Sequence, residues 1–177
     1  MLKKNVETLL NQQITKELYS AQLYLSMSAW FSSKDLDGFA KWYYVQSLEE
    51  RAHAMIIYHY IIKAGGTVKL EEIEAPGNDW SGVLGILEET VKHEEYVTSL
   101  IYDIIETASR EKDLKVVQFF QWFVDEQVEE EDNANKNKGR FETMGMDGKA
   151  LYLLDQELGA RVYTAPPLLT TLEGSAP

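Results

Sequence analysis

The sequence predicts an all-α protein: a four-helix bundle with a long crossover between its second and third helices and a short fifth helix near the C-terminus. Three observations predict it. Gly and Pro concentrate at Gly65-Gly66, at Pro76-Gly77, between Gly139 and Gly148 and beyond Ala165, leaving long uninterrupted stretches. Within those stretches apolar residues recur at alternating steps of three and four, the spacing of near-antiparallel helix packing. The stretches run to about 27–32 residues, so at 1.5 Å rise each helix spans roughly 40–48 Å. The 177 residues then leave room for one core.

The first helix runs from about Asn5 to Ser33 and the second from about Asp37 to Ala64, with Ser32 to Asp35 as their turn. Gly65 to Asp79 carries Val68, Leu70 and Ile73 and suits a segment laid along the length of a bundle. The third helix begins near Trp80 and ends near Lys112. Asp113 offers a side-chain cap to the fourth, which continues to about Thr143. A fifth helix covers about Asp147 to Val162. Residues 163–177, with Pro166-Pro167, read as a flexible tail.

Composition narrows the function classes. Hydrophobic residues make up 45% and charged residues 26%, the mix of an ordinary globular chain. Seventeen basic against 29 acidic side chains give a formal charge of −12, which repels nucleic acid and anionic membrane and attracts cations. There is no cysteine, which excludes disulfides, thiolate catalysis and iron–sulfur clusters, so any metal is held by oxygen and imidazole. No apolar run approaches the roughly 20 residues of a membrane span, and Met1 to Lys16 contains no secretory apolar block. The expected location is the cytoplasm, with neither membrane nor nucleic acid as partner.

The core stripes carry the chemistry. They read Leu10, Ile14, Glu17, Ala21, Tyr24, Ser28, Phe31 on the first helix and Phe39, Tyr43, Gln46, Glu50, His53, Ile57, Tyr60, Ala64 on the second. On the third they read Leu87, Val91, Glu94, Thr98, Ile101, Ile105, and on the fourth Val116, Phe120, Phe123, Gln127, Glu130, Ala134. Each is interrupted midway by an acid, and none contains Lys or Arg. A buried carboxylate without a partner is costly, and four together repel, so either some are protonated or a multivalent cation sits among them. The cation is the better solution.

Taken singly, each glutamate reads as a solvated surface residue. Together, at matched depths, the four form a constellation with Glu50-Arg51-Ala52-His53, whose i and i+3 members share a helix face. The spacing also repeats: Glu17 and Glu94, Glu50 and Gln127, and His53 and Glu130 are each 77 residues apart. The two helical hairpins therefore present equivalent, unequal slots.

In this combination the chain resembles the ferritins, above all bacterial and archaeal non-haem ferritins, from the first helix through the fifth. Di-iron bundles of this kind use one Glu on each of two helices and Glu-x-x-His on the others. Here one such motif is present, and Gln127-Val128-Glu129-Glu130 stands in the second slot, the departure expected of ferritins proper. The resemblance implies a ferritin-like bundle over residues 1–162, in which Glu17 and His53 hold one iron, Glu50 bridges, and Glu94 and Glu130 hold the second. Gln127 becomes a weak or adjacent contact. Tyr24 resembles the family's tyrosine beside the iron pair; it also reads as a core tyrosine with a satisfied hydroxyl. Glu49, Glu126 and Glu129 match a third iron site shared with Glu130, although Glu129-Glu130-Glu131-Asp132 also reads as a solvated acidic face.

The implied activity is iron storage with oxidation of Fe(II) to Fe(III) by O2 or H2O2, the ferric mineral lying inside a homo-oligomeric cage of 24 subunits. The fifth helix, with Leu151, Leu153, Leu154 and Leu158, is expected at the fourfold axis of that cage. No haem is expected, because Arg51 stands where bacterioferritins carry their haem-ligating Met. A di-iron oxygenase or peroxidase on a similar bundle remains the rival enzyme class, and a subunit without oxidase activity the rival outside it.

Overall fold

A computed structural model describes residues 2–144 and 147–174. Four long helices, α1 (Lys4–Ser32), α2 (Asp37–Lys63), α3 (Val83–Arg110) and α4 (Leu114–Met144), are followed by α5 (Gly148–Leu158) and α6 (Pro167–Glu173). The long helices have 29, 27, 28 and 31 residues, close to the lengths that the Gly/Pro punctuation sets. α1 packs chiefly on α2 and α3 on α4, so the bundle is built from two hairpins.

The hairpins are equivalent down to their turns. Asp35 (φ 56°) and Lys112 (φ 58°) are the two non-glycine residues with left-handed backbone among the described residues. They too lie 77 residues apart. Each closes a helix C-terminus: Leu36 N donates to Phe31 O (3.2 Å), and Asp113 N donates to Ala108 O (2.8 Å). Asp113 stands directly before α4, and the contact it makes there is through its backbone carbonyl, which accepts from Val116 and Val117, rather than through the side-chain cap that its type offers.

Gly65 (φ 75°) ends α2 in a left-handed cap: its N–H bonds Ile62 O, and Gly66 N bonds Ile61 O. From there the crossover follows α1. Thr67 N donates to Glu7 Oε1, Lys69 N to Asn11 Oδ1, and Ser26 Oγ donates to Gly77 O. It therefore travels from the start of α1 toward its end, as its length suggested. α3 begins at Val83 rather than Trp80 because Gly82 adopts φ 127°, a conformation side chains rarely allow, and sets the boundary.

The C-terminal region departs from expectation in two places. α5 is capped by the Asp147 side chain accepting from Lys149 N, but ends at Leu158 instead of continuing to Val162. A Cβ added at Gly159 would stand 3.2 Å from Gly38 Cα, and Lys41 Nζ donates to the Gly159 carbonyl at 2.8 Å, so the chain turns there. The stretch Tyr163–Pro177, expected as a flexible tail, carries α6, with Leu169 and Leu172 buried against the apolar core. Pro166-Pro167 is the reason: Pro at the first helical position is preorganised for a helix start, and the dipeptide begins one here. Burial of a Leu side chain contributes about 1.5–3 kcal/mol, enough to hold such a short helix down. Ser175–Pro177 lie outside the described residues.

The core has two apolar halves. One gathers Leu10, Ile14, Ile57, Ile101, Phe120 and Phe123; the other gathers Tyr24, Phe31, Phe39, Tyr43, Leu87 and Phe141. Between them lies a layer of buried polar side chains.

Candidate metal centre

That layer contains Glu17, Glu50, His53, Glu94, Gln127 and Glu130, every one buried. The four core stripes thus point inward as read, and α1–α4 each deliver one acid to the same depth. Glu17, Glu50 and His53 offer ligand atoms that all lie within 4.8 Å of one another, the one such trio among the described residues. His53 Nδ1 stands 3.6 Å from Glu50 Oε2. Trp122 and Phe123 set their rings edge-on to the imidazole, at 5.5 and 6.0 Å between centroids, and fix its plane.

The carboxylates are held by neutral donors. Gln13 Nε2 donates to Glu17 Oε1 (2.9 Å). Gln46 Nε2 donates to Glu130 Oε2 (2.6 Å) and Glu50 Oε1 (3.3 Å), joining two acids from different hairpins. Gln127 Nε2 faces Glu94 Oε2 (3.4 Å), Glu94 O (3.3 Å) and Thr98 Oγ1 (3.1 Å). The Tyr24 hydroxyl donates to Glu94 Oε1. These contacts orient the acids without neutralising them, and Glu17 Oε2 is buried with no amide or hydroxyl donor, the Glu50 carboxyl being the other group that the Glu17 carboxyl meets.

The electrostatic consequence is severe. Burial, followed by the charge of Glu50, pushes the Glu17 carboxyl up from 4.5 to about 8. Burial followed by Glu130 raises Glu50, burial followed by Glu94 raises Glu130, and burial followed by Glu50 raises Glu94 well above the carboxylate range. Each acid worsens the next. A multivalent cation among them reverses the balance, and the orphaned Glu17 oxygen beside Glu50 and His53 supplies a free lone pair for it. A set of carboxylates with one imidazole suits divalent iron, manganese or zinc.

Tyr24 is buried under the site, its hydroxyl pushed far up by burial and by Glu94. Gln127 sits against Glu94, as a donor to that carboxylate. Of the outer acids, Glu126 reaches within 3.9 Å of His53 Nε2, and Glu129 is exposed beside it. Glu49 forms an ion pair with Arg161 from the segment between α5 and α6. A second layer flanks Glu94: Ser20 Oγ and His93 Nε2 share a hydrogen bond of 2.8 Å, and burial with nearby Lys16 lowers His93 to about 4, so it is neutral.

Sequence reasoning missed Gln13, the donor role of Gln46, and Arg161. The one signal for Gln13 is that it lies four residues before Glu17, an i, i+4 neighbour. Arg161 carried no such signal, because its partners are 112 and 115 residues away.

Residues 7–144 match the ferritin-like domain family. A probable bacterial non-heme ferritin-like protein from Haemophilus influenzae is 37% identical over 159 residues, covering 90% of this chain and 96% of its own. The bacterial non-heme ferritin of Staphylococcus aureus is 36% identical over 163 residues, 92% of this chain and 98% of that protein. Among solved structures, an Archaeoglobus fulgidus ferritin engineered to a closed form superposes with a TM-score of 0.91 at 41% identity, covering 93% of this chain and all of the other. An open-pore ferritin from the same archaeon gives 0.90 at 41% identity, covering 92% of this chain. Family, relatives and architecture agree, and the chain belongs to the ferritin family.

Proposed function

We propose that this chain stores iron and oxidises it on the way in, at a pair of Fe(II) ions held inside its own bundle. The observation that carries this reading is the buried trio Glu17, Glu50 and His53, whose spare carboxylate oxygen and mutual repulsion call for a cation. Glu50, the member of the trio that shares the Gln46 amide with Glu130, is the bridging ligand; His53 and Glu17 serve one Fe(II), Glu94 and Glu130 the other. Two Fe(II) together give the two electrons that reduce O2 to peroxide, or peroxide to water, and leave as Fe(III). Gln13, Gln46, Gln127 and Tyr24 hold the carboxylates in place through the change of charge.

The cage of 24 subunits and its ferric mineral belong to the same proposal, supported by the ferritin names of the relatives and by the near-complete overlap with them. A cytoplasmic site of action is proposed with it; no described helix is long and apolar enough to cross a membrane.

The test is aerobic addition of Fe(II) to metal-free protein, following ferric absorbance, with particle mass from native light scattering on the same sample. Fast oxidation that saturates near two irons per chain and continues into soluble mineral within a very large particle is the expected result. A small oligomer that stops at two irons would instead identify a di-iron redox enzyme on this bundle.

A further inference from the structure

Beside the iron pair, the Glu49 corner already contains a cation. Arg161 ion-pairs with the Glu49 carboxylate through Nη2, and its Nη1 donates to Gln46 Oε1 at 2.7 Å. The guanidinium also lies over the Trp42 ring, 4.5 Å from its centroid. Gln46 is the amide that donates to Glu130 and Glu50, so Arg161 is tied to the ligand set through one intermediary.

We propose that the Arg161 guanidinium is the built-in third cation of this centre: through Glu49 it fills the place a third metal ion would take beside Glu126, Glu129 and Glu130, and it limits the centre to two ions. The inference rests on the two-iron reading above and adds a stoichiometry to it. Three features of the chain support it.

First, the arginine is delivered by a segment held at both ends. On one side, buried Asp155 of α5 accepts from Phe39 N, and Lys41 holds Gly159 O; on the other, Leu169 and Leu172 of α6 are buried. A loosely placed surface arginine needs neither. Second, the planar fork is used in two directions, on a carboxylate and on an amide carbonyl, which a lysine ammonium on its flexible stem cannot reproduce. Third, Arg161 already compensates the Glu49 charge: with the guanidinium on Oε2, a metal ion at the other oxygen would meet a carboxylate whose charge is matched and a like charge beside it. Without Glu49, Glu126 and exposed Glu129 keep only Glu130 of the same helix beside them, and that carboxylate is already engaged by the iron pair.

The experiment titrates the metal-free full-length protein with Co(II), which reports binding by its visible spectrum without redox turnover. The wild type is expected to bind two Co(II) per chain and R161Q to bind three, with a new absorption band; adding E49Q to R161Q returns the number to two. E49Q alone, a conservative change that keeps the fold even if R161Q does not, is expected to leave the wild-type number at two, because Glu49 is already engaged. The proposal is overturned if R161Q stays at two, or if the wild type binds three and E49Q lowers it. Wild-type binding below two overturns the di-iron reading itself, so the two failures are distinct.

Discussion

Replacing Glu17 with Gln separates the cost of the site from its use. In the metal-free protein the Glu17 carboxyl is pushed from 4.5 to about 8, first by burial and then by Glu50. A group raised on folding stabilises the native state fully below its unfolded value and loses that contribution as pH rises through its folded one. Between about 4.5 and about 8 the folded chain holds a proton that the unfolded chain has released. At pH 7 that difference amounts to roughly 3 kcal/mol, and at pH 5 to less than about 1 kcal/mol. Gln has nearly the same shape, can still accept from Gln13, and does not titrate. Metal-free E17Q is therefore expected to be more stable than wild type by on the order of 2–3 kcal/mol at pH 7, or roughly 5–10 °C in unfolding midpoint, with most of the gain gone at pH 5. The same variant loses an anionic ligand, so Fe(II) oxidation slows severely. Thermal unfolding of metal-free protein at both pH values, with ferric absorbance on the same preparations, tests the pair. Equal midpoint shifts at pH 5 and pH 7, or oxidation at the wild-type rate, would refute the reasoning.

Glu50→Ala removes the proposed bridge, so oxidation should fall by at least about a hundredfold while particle mass by light scattering stays that of the wild type; an unchanged rate would mean that the bridge lies elsewhere. Tyr24→Phe deletes the hydroxyl that donates to Glu94 and nothing else. It should leave metal stoichiometry at the wild-type value and slow oxidation several-fold, and a lost metal ion would show that Tyr24 acts on binding instead. Gly38→Ala would set a Cβ 1.6 Å from the Asp155 carbonyl oxygen, forcing α5 away from the start of α2 and breaking the Asp155 bond to Phe39 N. Crowding of this kind costs about 1–3 kcal/mol, read as a lower denaturation midpoint, and a change within experimental error would show that α5 is not seated there.

The bundle was legible because its signals are local and periodic. Long helices between Gly/Pro clusters, and stripes at steps of three and four, place Glu17, Glu50, His53, Glu94, Gln127 and Glu130 in the interior, where the structure has them. The 77-residue offset gave the pairing of hairpins before any contact was known, and the left-handed Asp35 and Lys112 repeat it in the turns. What escaped was non-periodic. α6 has only 7 residues and opens with a Pro-Pro pair that reads as a breaker, and its two buried leucines have no long stripe to join. Arg161 pairs with α2 across more than a hundred residues, a relation that spacing alone does not carry. Gln13 stands four residues before Glu17, but amides at that spacing are common on helices whether or not they donate to an acid, so the spacing alone does not single it out.

Those amides explain why the pseudo-symmetry is broken where it is. Gln127 occupies the slot that Glu50 fills in the other hairpin, and it spends its amide hydrogens on Glu94 and Thr98. An acid at that position would leave Glu94 with Tyr24 as its one side-chain donor and raise the buried carboxylates of the centre from four to five. Four deprotonated carboxylates balance the charge of two Fe(II), while a fifth would leave a net negative interior that favours retention of the metal. The proposed oxidation would then add two positive charges that the four acids cannot match, since Gln13, Gln46 and Gln127 donate hydrogen bonds but carry no charge. The excess is relieved by hydroxide or oxide entering with the loss of protons, or by departure of Fe(III). On this reasoning the neutral donors are as necessary as the ligands. In the proposed function they would orient the carboxylates for arriving Fe(II) and supply nothing that would hold the ferric product, as a centre refilled repeatedly requires.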